Sequence, residues 1–261
     1  MSLIKTIILG VVQGLTEFLP VSSSGHLVIC QRLFGLESAG VTLEVLLHFG
    51  TLLAVFWVFW RDFLDLLKFP RDAVQRRFLL LLILGCIPTA LIGFFLGDFI
   101  ESIFHSLLLT GAALIVTGGI LKLLTLLPEG SKDVTAMRPI DALWIGLLQG
   151  IAVIPGISRS GSTITAALWR GLERATAVRY SFMLAAPVIL GATLLEIKEM
   201  FSAGIEKTLL LDYAAGTVTA FICGVLAIRL FIRLLQQKKF HYFAYYCWAL
   251  GAAAIAAYYF Y

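Results

Sequence analysis

Apolar positions along the chain fall into runs of two lengths. The long runs cover about 41–60, 78–97, 106–127, 180–197, 209–235 and 241–260. Each approaches the roughly 20 residues that an α-helix needs to cross a bilayer. The short runs hold about a dozen residues and come in pairs, each pair split by a Pro and a cluster of Ser and Gly. One pair fills residues 1 to about 36 around Gln13-Gly14-Leu15-Thr16-Glu17-Phe18-Leu19-Pro20-Val21-Ser22-Ser23-Ser24-Gly25-His26. The other fills about 139–171 around Gln149-Gly150-Ile151-Ala152-Val153-Ile154-Pro155-Gly156-Ile157-Ser158-Arg159-Ser160-Gly161-Ser162-Thr163. Neither half of a pair can span lipid alone. Irregular backbone cannot face hydrocarbon, so the pattern predicts two broken, re-entrant hairpins lining a cavity. Two kinked spanning helices are the plainer reading. Glu17, His26 and Arg159 argue against it, because charge at membrane depth is costly and is retained for function.

The two short-run pairs are related. A slide of 136 positions lays Gly10, Gln13, Gly14, Ser22, Ser24 and Gly25 on Gly146, Gln149, Gly150, Ser158, Ser160 and Gly161. The chain therefore reads as one membrane domain, 1–261, made of two repeats, about 1–127 and about 139–261. Each repeat holds one hairpin and three crossings. Three is odd, so the second repeat is expected inverted relative to the first. Basic residues agree: Arg61, Lys68, Arg71, Arg76, Arg77, then Arg170, Arg174, Arg179, then Lys238 and Lys239 lie in loops that one threading places on the cytoplasmic side. Both termini then lie outside, the first hairpin enters from outside, the second from the cytoplasm, and their tips meet. Such inverted repeats with broken helices build the central sites of many transporters.

Composition narrows the class. Hydrophobic residues make up 60% and charged residues 14% of the 261, and mean hydropathy is +0.95; soluble domains carry about 25% charge. An all-α polytopic membrane protein is expected, with six spanning helices and two re-entrant hairpins. The net charge of +4 is scattered over loops and gives no nucleic-acid face. No signal peptide is expected, since Gln13 and Glu17 interrupt the first apolar run. Cys30, Cys86, Cys223 and Cys247 lack paired spacing and read as buried free thiols. Tyr258, Tyr259 and Tyr261 read as an interface anchor, and Lys122 and Glu196 as side chains that snorkel.

If the tips meet, one pocket collects Gln13, Glu17, Ser22, Ser23, Ser24, His26, Ser158, Arg159, Ser160, Ser162 and Thr163. Gln13 and Glu17, four apart on a helix, present oxygens on one face. Such ligands suit a hard divalent cation, Mg²⁺ or Ca²⁺. Ser-Gly turns opening helices offer backbone N–H groups to anions, and Arg159 offers a planar fork that matches phosphate. His26 can carry protons or attack phosphorus. Glu44 and His48 either face the same cavity or fill a polar helix contact. Singly, each feature has a packing explanation. Together they resemble a phosphoryl-transfer site.

At these residues the chain resembles the undecaprenyl-pyrophosphate phosphatase family, the bacitracin-resistance type of integral membrane phosphatase. The family's first motif, Glu or Gln, three residues, then Glu, is matched by Gln13 and Glu17 and runs on into Pro20-Val21-Ser22-Ser23-Ser24-Gly25-His26. Its second motif is matched by Pro155, Gly156, Ser158, Arg159, Ser160 and Thr163. The resemblance implies hydrolysis of the terminal phosphate of a C55 polyprenyl diphosphate, for cell-wall synthesis, at a site opening to the outer face of the plasma membrane. It also implies divalent-metal dependence. Glu17 would then bind metal with Gln13 or move a proton, Arg159 would clamp the diphosphate, and His26, Ser23 or water would attack phosphorus. Ser22, Ser24, Gly25, Ser158, Ser160 and Thr163 would cradle substrate. Gln13 stands where Glu is frequent, which would shift cation binding towards the substrate's own phosphates. Membrane lipid and the lipid substrate are the partners expected, and a homodimer is compatible.

Two other families of activity compete with this reading. Acid-phosphatase-like lipid phosphatases need a His and then an Asp soon after Ser-Arg, but the next His after Arg159 is His241. A transporter or lipid flippase shares the expected fold. The site discriminates, because a carrier needs reversible anion capture rather than a nucleophile beside a metal-capable pair.

Overall fold

The computed structural model describes residues 2–35, 41–104, 106–203, 209–236 and 240–260. His105, Lys207, Lys238, Lys239, Tyr261 and the side chain of Glu196 lie outside the described residues. The described chain is helical: α1 (Leu3–Phe18), α2 (Ser23–Phe34), α3 (Val41–Val58), α4 (Trp60–Leu66), α5 (Ala73–Ile103), α6 (Leu107–Leu124), α7 (Pro139–Ile151), α8 (Arg159–Trp169), α9 (Arg174–Ala203), α10 (Leu210–Gln236) and α11 (His241–Phe260). Five helices are long and apolar enough to cross a membrane, six if α3 and α4 are counted as one span bent by 74°. The expected span at 41–60 thus breaks at Phe59, which lies in the core against Phe182 with ring centroids 5.7 Å apart. Helices α5 and α9 outrun the apolar stretches that announced them, beginning at residues 73 and 174 rather than 78 and 180. Their basic first turns need only carry their heads to water, so the helix need not stop where hydropathy does.

Glycine contacts position the two short hairpins. A Cβ on Gly10 would lie 2.6 Å from the Gly216 carbonyl oxygen, and one on Gly14 would lie 2.6 Å from that of Ala220, which seats α1 against α10. Gly146 and Gly150 seat α7 against α5 in the same way, on Gly85 and on Thr89 and Ile92. Small residues are what permit such close approach where lipid supplies no hydrophobic drive. Beneath the site Phe182 of α9 gathers Phe18 of α1 at 5.6 Å and Phe231 of α10 at 5.8 Å, ring centroid to ring centroid. Tyr180 donates to the Leu81 carbonyl at 2.7 Å. None of the four cysteines is in a disulfide; Cys247 is buried and the other three are half-buried. Lys122 reaches the Tyr245 hydroxyl at 3.4 Å.

Candidate active site

Each hairpin breaks where a serine takes over from the helix ladder. Ser22 caps α2, its Oγ accepting from the Gly25 N–H at 3.3 Å. Ser158 caps α8, its Oγ accepting from the Gly161 N–H at 3.1 Å. Short hydroxyl side chains satisfy the orphan N–H groups of a first turn. Two further bonds tie the turns to one another. The Gly156 N–H donates to Ser22 Oγ at 3.1 Å, and Ser160 Oγ donates to the Leu19 carbonyl at 3.2 Å. Gly156 has φ +96°, and a Cβ there would meet the Thr110 carbonyl oxygen, so only glycine fits. Ser22 also has positive φ, +68°. For a residue with a Cβ that conformation costs about 1–3 kcal/mol and persists only where surroundings impose it.

Between the turns lies a cavity of about 380 Å³. Polar lining comes from Glu17, Ser22, Ser23 and Ser24 on one side and Gln149, Ser158 and Arg159 on the other. Val45 of α3 and Val188, Ile189 and Ala192 of α9 make an apolar wall. Glu44 and His48 also line it, so of the two readings open for them the cavity one holds. His48 Nε2 is 3.8 Å from Glu17 Oε2, and Glu44 accepts from Gln31 at 2.6 Å.

Glu17 is the electrostatic centre. Its Oε1 accepts from Arg159 Nη2 at 2.9 Å. Its Oε2 accepts from Gln13 Nε2 at 3.0 Å and from the Ser23 hydroxyl. A carboxylate almost wholly out of solvent is held there by paired charge and by donors on both oxygens. The second guanidinium nitrogen, Arg159 Nη1, is buried with no hydrogen-bond partner among the described residues. Arg159, which lines the cavity, therefore keeps one donor unspent, and the Ser23 hydroxyl on the same cavity is already bonded to the carboxylate.

The remaining expected residues divide. Ser24 touches Ser22 at 3.2 Å, and Ser158 touches Ser160 at 3.3 Å. Thr163 hydrogen-bonds to Ser181 of α9 and to the Arg159 carbonyl, which makes it a brace under the second turn. Ser162 is buried. Gly25 lets the turns meet, since a Cβ there would stand 3.2 Å from the Gly156 Cα. His26 points away from the hydroxyls: Nδ1 lies 2.7 Å from the Ser22 carbonyl and Nε2 lies 2.7 Å from the Tyr246 hydroxyl of α11. Tyr246 and Gln149 were missed as site residues. Nothing local in an aromatic-rich terminal helix singles out Tyr246, whereas the repeat correspondence with Gln13 could have found Gln149.

Cation chemistry can be tested on the donor set. Among the described residues no three His, Cys, Asp or Glu side chains gather into a metal-holding group. Gln13 Oε1, however, is buried beside Glu17 with no hydrogen-bond partner among the described residues. An orphan amide oxygen next to a carboxylate fits a hard, oxygen-seeking cation whose remaining ligands come from elsewhere.

Known proteins place the chain in a family. A family described as bacitracin resistance protein BacA matches residues 6–253. The chain belongs to that family. It is similar to an undecaprenyl-diphosphatase of Halothermothrix orenii, 45% identical over 255 residues covering 98% of each chain. Another of that name, from Alkaliphilus metalliredigens, is 42% identical over 270 residues, again 98% of each. A third, from Carboxydothermus hydrogenoformans, is 40% identical over 260 residues, 98% of this chain and 97% of the relative.

Proposed function

We propose that this protein removes the terminal phosphate of undecaprenyl (C55 polyprenyl) diphosphate, giving the monophosphate lipid carrier used in cell-wall synthesis and inorganic phosphate, and so confers bacitracin resistance. The observation that carries the site assignment is the Ser23 hydroxyl bonded to Glu17 on the cavity wall, with Arg159 bridging to the same carboxylate and keeping one buried nitrogen unpaired. Diphosphate oxygens complete the Arg159 fork, and the N–H-rich openings of α2 and α8 add to the anion cradle. Ser23 Oγ attacks the terminal phosphorus as its proton passes to Glu17. The Oγ–P bond forms, and the bridging P–O bond breaks with its electron pair leaving on the polyprenyl monophosphate, which takes the proton from Glu17 and leaves that carboxylate free to act again. Water, deprotonated by Glu17, then attacks the phosphoserine. The P–Oγ bond breaks, Ser23 regains a proton, and inorganic phosphate departs. His26, whose two nitrogens are engaged behind the turn, is assigned to positioning rather than attack.

Gln13 and Glu17 would hold Mg²⁺ or Ca²⁺ together with oxygens of the substrate. Bound there, the cation would neutralise charge that develops on the transferred phosphoryl group.

We also assign an inverted-topology repeat with six crossings, the bent α3–α4 pair counted as one. The support is reciprocal packing: α1 of the first half lies on α10 of the second, while α7 of the second lies on α5 of the first. The basic loops favour a threading with both termini on the outer side of a bacterial plasma membrane, and the family likeness supports a cavity mouth on that same side. Ser22, Ser24, Gly25, Ser158 and Ser160 bind substrate by shaping the two turns, and Thr163 supports them.

The test uses pure protein in detergent, which abolishes vectorial transport but not hydrolysis. Phosphate should be released from polyprenyl diphosphate when Mg²⁺ is present, and substrate labelled in its terminal phosphate should label Ser23. A protein that binds the lipid without releasing phosphate is a carrier. A phosphoenzyme that survives in Ser23→Ala moves the nucleophile elsewhere.

A further inference from the structure

The strained turn that carries Ser23 has a support outside the cavity. The Ser22 carbonyl can only accept a hydrogen bond, so His26 Nδ1, 2.7 Å away, carries the proton. In the neutral ring Nε2 is then an acceptor, and the Tyr246 hydroxyl, 2.7 Å from it, donates. The two rings also stack, with centroids 5.6 Å apart and planes within 7°. Histidine tautomers are set in this way, by the bond that the other nitrogen makes.

Helix α11 grips the same turn at its other end. The Cys247 thiol lies 3.8 Å from the Pro20 carbonyl oxygen, and Val21 packs with Leu121, Ala244 and Cys247. Neighbouring residues of the last helix therefore hold the turn before and after Ser22, the one described non-glycine residue with positive φ. Ser22 is also where the two hairpins join, through the Gly156 N–H on its Oγ. Loss of the Tyr246 bond frees Nε2 to take the proton, which leaves the Ser22 carbonyl only the longer bond from the His26 backbone N–H, at 3.2 Å. The turn can then relax, and Ser23 next in sequence moves relative to Glu17 and Arg159.

We propose that Tyr246 is a positioning residue for catalysis: its hydroxyl locks His26 in the Nδ1–H form, and that ring holds the Ser22 turn so that Ser23 faces the phosphorus. The proposal rests on the phosphatase reading given above, but its link to His26 has a readout of its own. Full-length protein in detergent is compared with Tyr246→Phe and with Tyr245→Phe, whose ring instead faces Lys122 and Trp248. Histidines labelled with ¹⁵N report the tautomer.

In the unaltered protein and in Tyr245→Phe, His26 should show a protonated Nδ1 and a hydrogen-bonded, unprotonated Nε2. In Tyr246→Phe the Nε2 signal should shift to that of a free or protonated nitrogen. Loss of one positioning hydrogen bond should lower kcat about 3- to 10-fold with KM nearly unchanged, since Arg159 still binds the diphosphate. An Nε2–H tautomer in the unaltered protein would overturn the proposal. So would a Tyr246→Phe protein with an unshifted His26 signal or full kcat, or one whose loss lies in KM. If the unaltered protein releases no phosphate, the phosphatase reading fails, and Tyr246 with it as a catalytic positioner. An intact spectroscopic link would then be a structural bond only.

Discussion

At the first turn Ser22 caps α2 and touches Ser24; at the second, 136 residues on, Ser158 caps α8 and touches Ser160. The repeat preserves this scaffold and divides the chemistry. Position by position, Glu17 faces Val153 in the correspondence, Ser23 faces Arg159 and His26 faces Ser162. The first turn thus brings the carboxylate and the hydroxyl, and the second brings the guanidinium. Backbone differs as well: Ser22 has φ +68° where Ser158, at −77°, is unstrained. A shared cap explains why both chain segments turn there. Divergence lets two related turns give the one pocket proposed for an anion unlike groups, instead of the same set twice.

The sharpest way to break the comparison is to remove the cation from the second turn. Arg159→Ala should lower kcat/KM by about 10³-fold or more, in line with arginines that clamp transferring phosphoryl groups. Near-normal phosphate release by that variant would reduce the second turn to a scaffold. Removing the charge from the first turn comes next. Glu17→Gln keeps one acceptor oxygen, for Arg159 or for Ser23 but not both, and cannot take a proton, so turnover should fall about 10²-fold or more, with a weakened response in a Mg²⁺ titration; a wild-type titration curve at full rate would free Glu17 of both roles. The smallest effects should come from the shared scaffold. Ser24→Ala and Ser160→Ala each delete one serine contact, at about 0.5–1.5 kcal/mol per hydrogen bond. Ser160→Ala should cost the more in thermal unfolding, because Ser160 also bonds across to Leu19. Equal unfolding temperatures would show that the cross-turn bond carries no net stability.

Much of this was legible in the chain. Apolar run length separates spanning helices from broken ones, because a bilayer imposes a length and lipid forbids bare backbone. The Pro and Ser-Gly interruptions marked both turns, and the repeat correspondence paired them. Glu17 and Arg159 stood out through the cost of burying charge, and the structure brings them within one hydrogen bond. Other features were not legible. At the bend Phe59 packs against Phe182, and no Pro or Gly at 57–62 announces it. From the sequence His26 could carry protons or stand with Ser23 and water as a candidate nucleophile, while the direction of its ring depends on Tyr246, 220 residues away in sequence.

Membrane residence, helical class, the paired turns and the candidate residues proposed to handle phosphate follow from the sequence alone. Hydropathy, charge cost and cap chemistry act over a few residues, so they can be read along the chain. Which oxygen of Glu17 meets which donor, which way His26 faces and where Arg159 keeps a nitrogen unspent were decided by tertiary structure. Those are contacts between helices distant in sequence, set by how closely glycine faces allow α1 to approach α10 and α7 to approach α5.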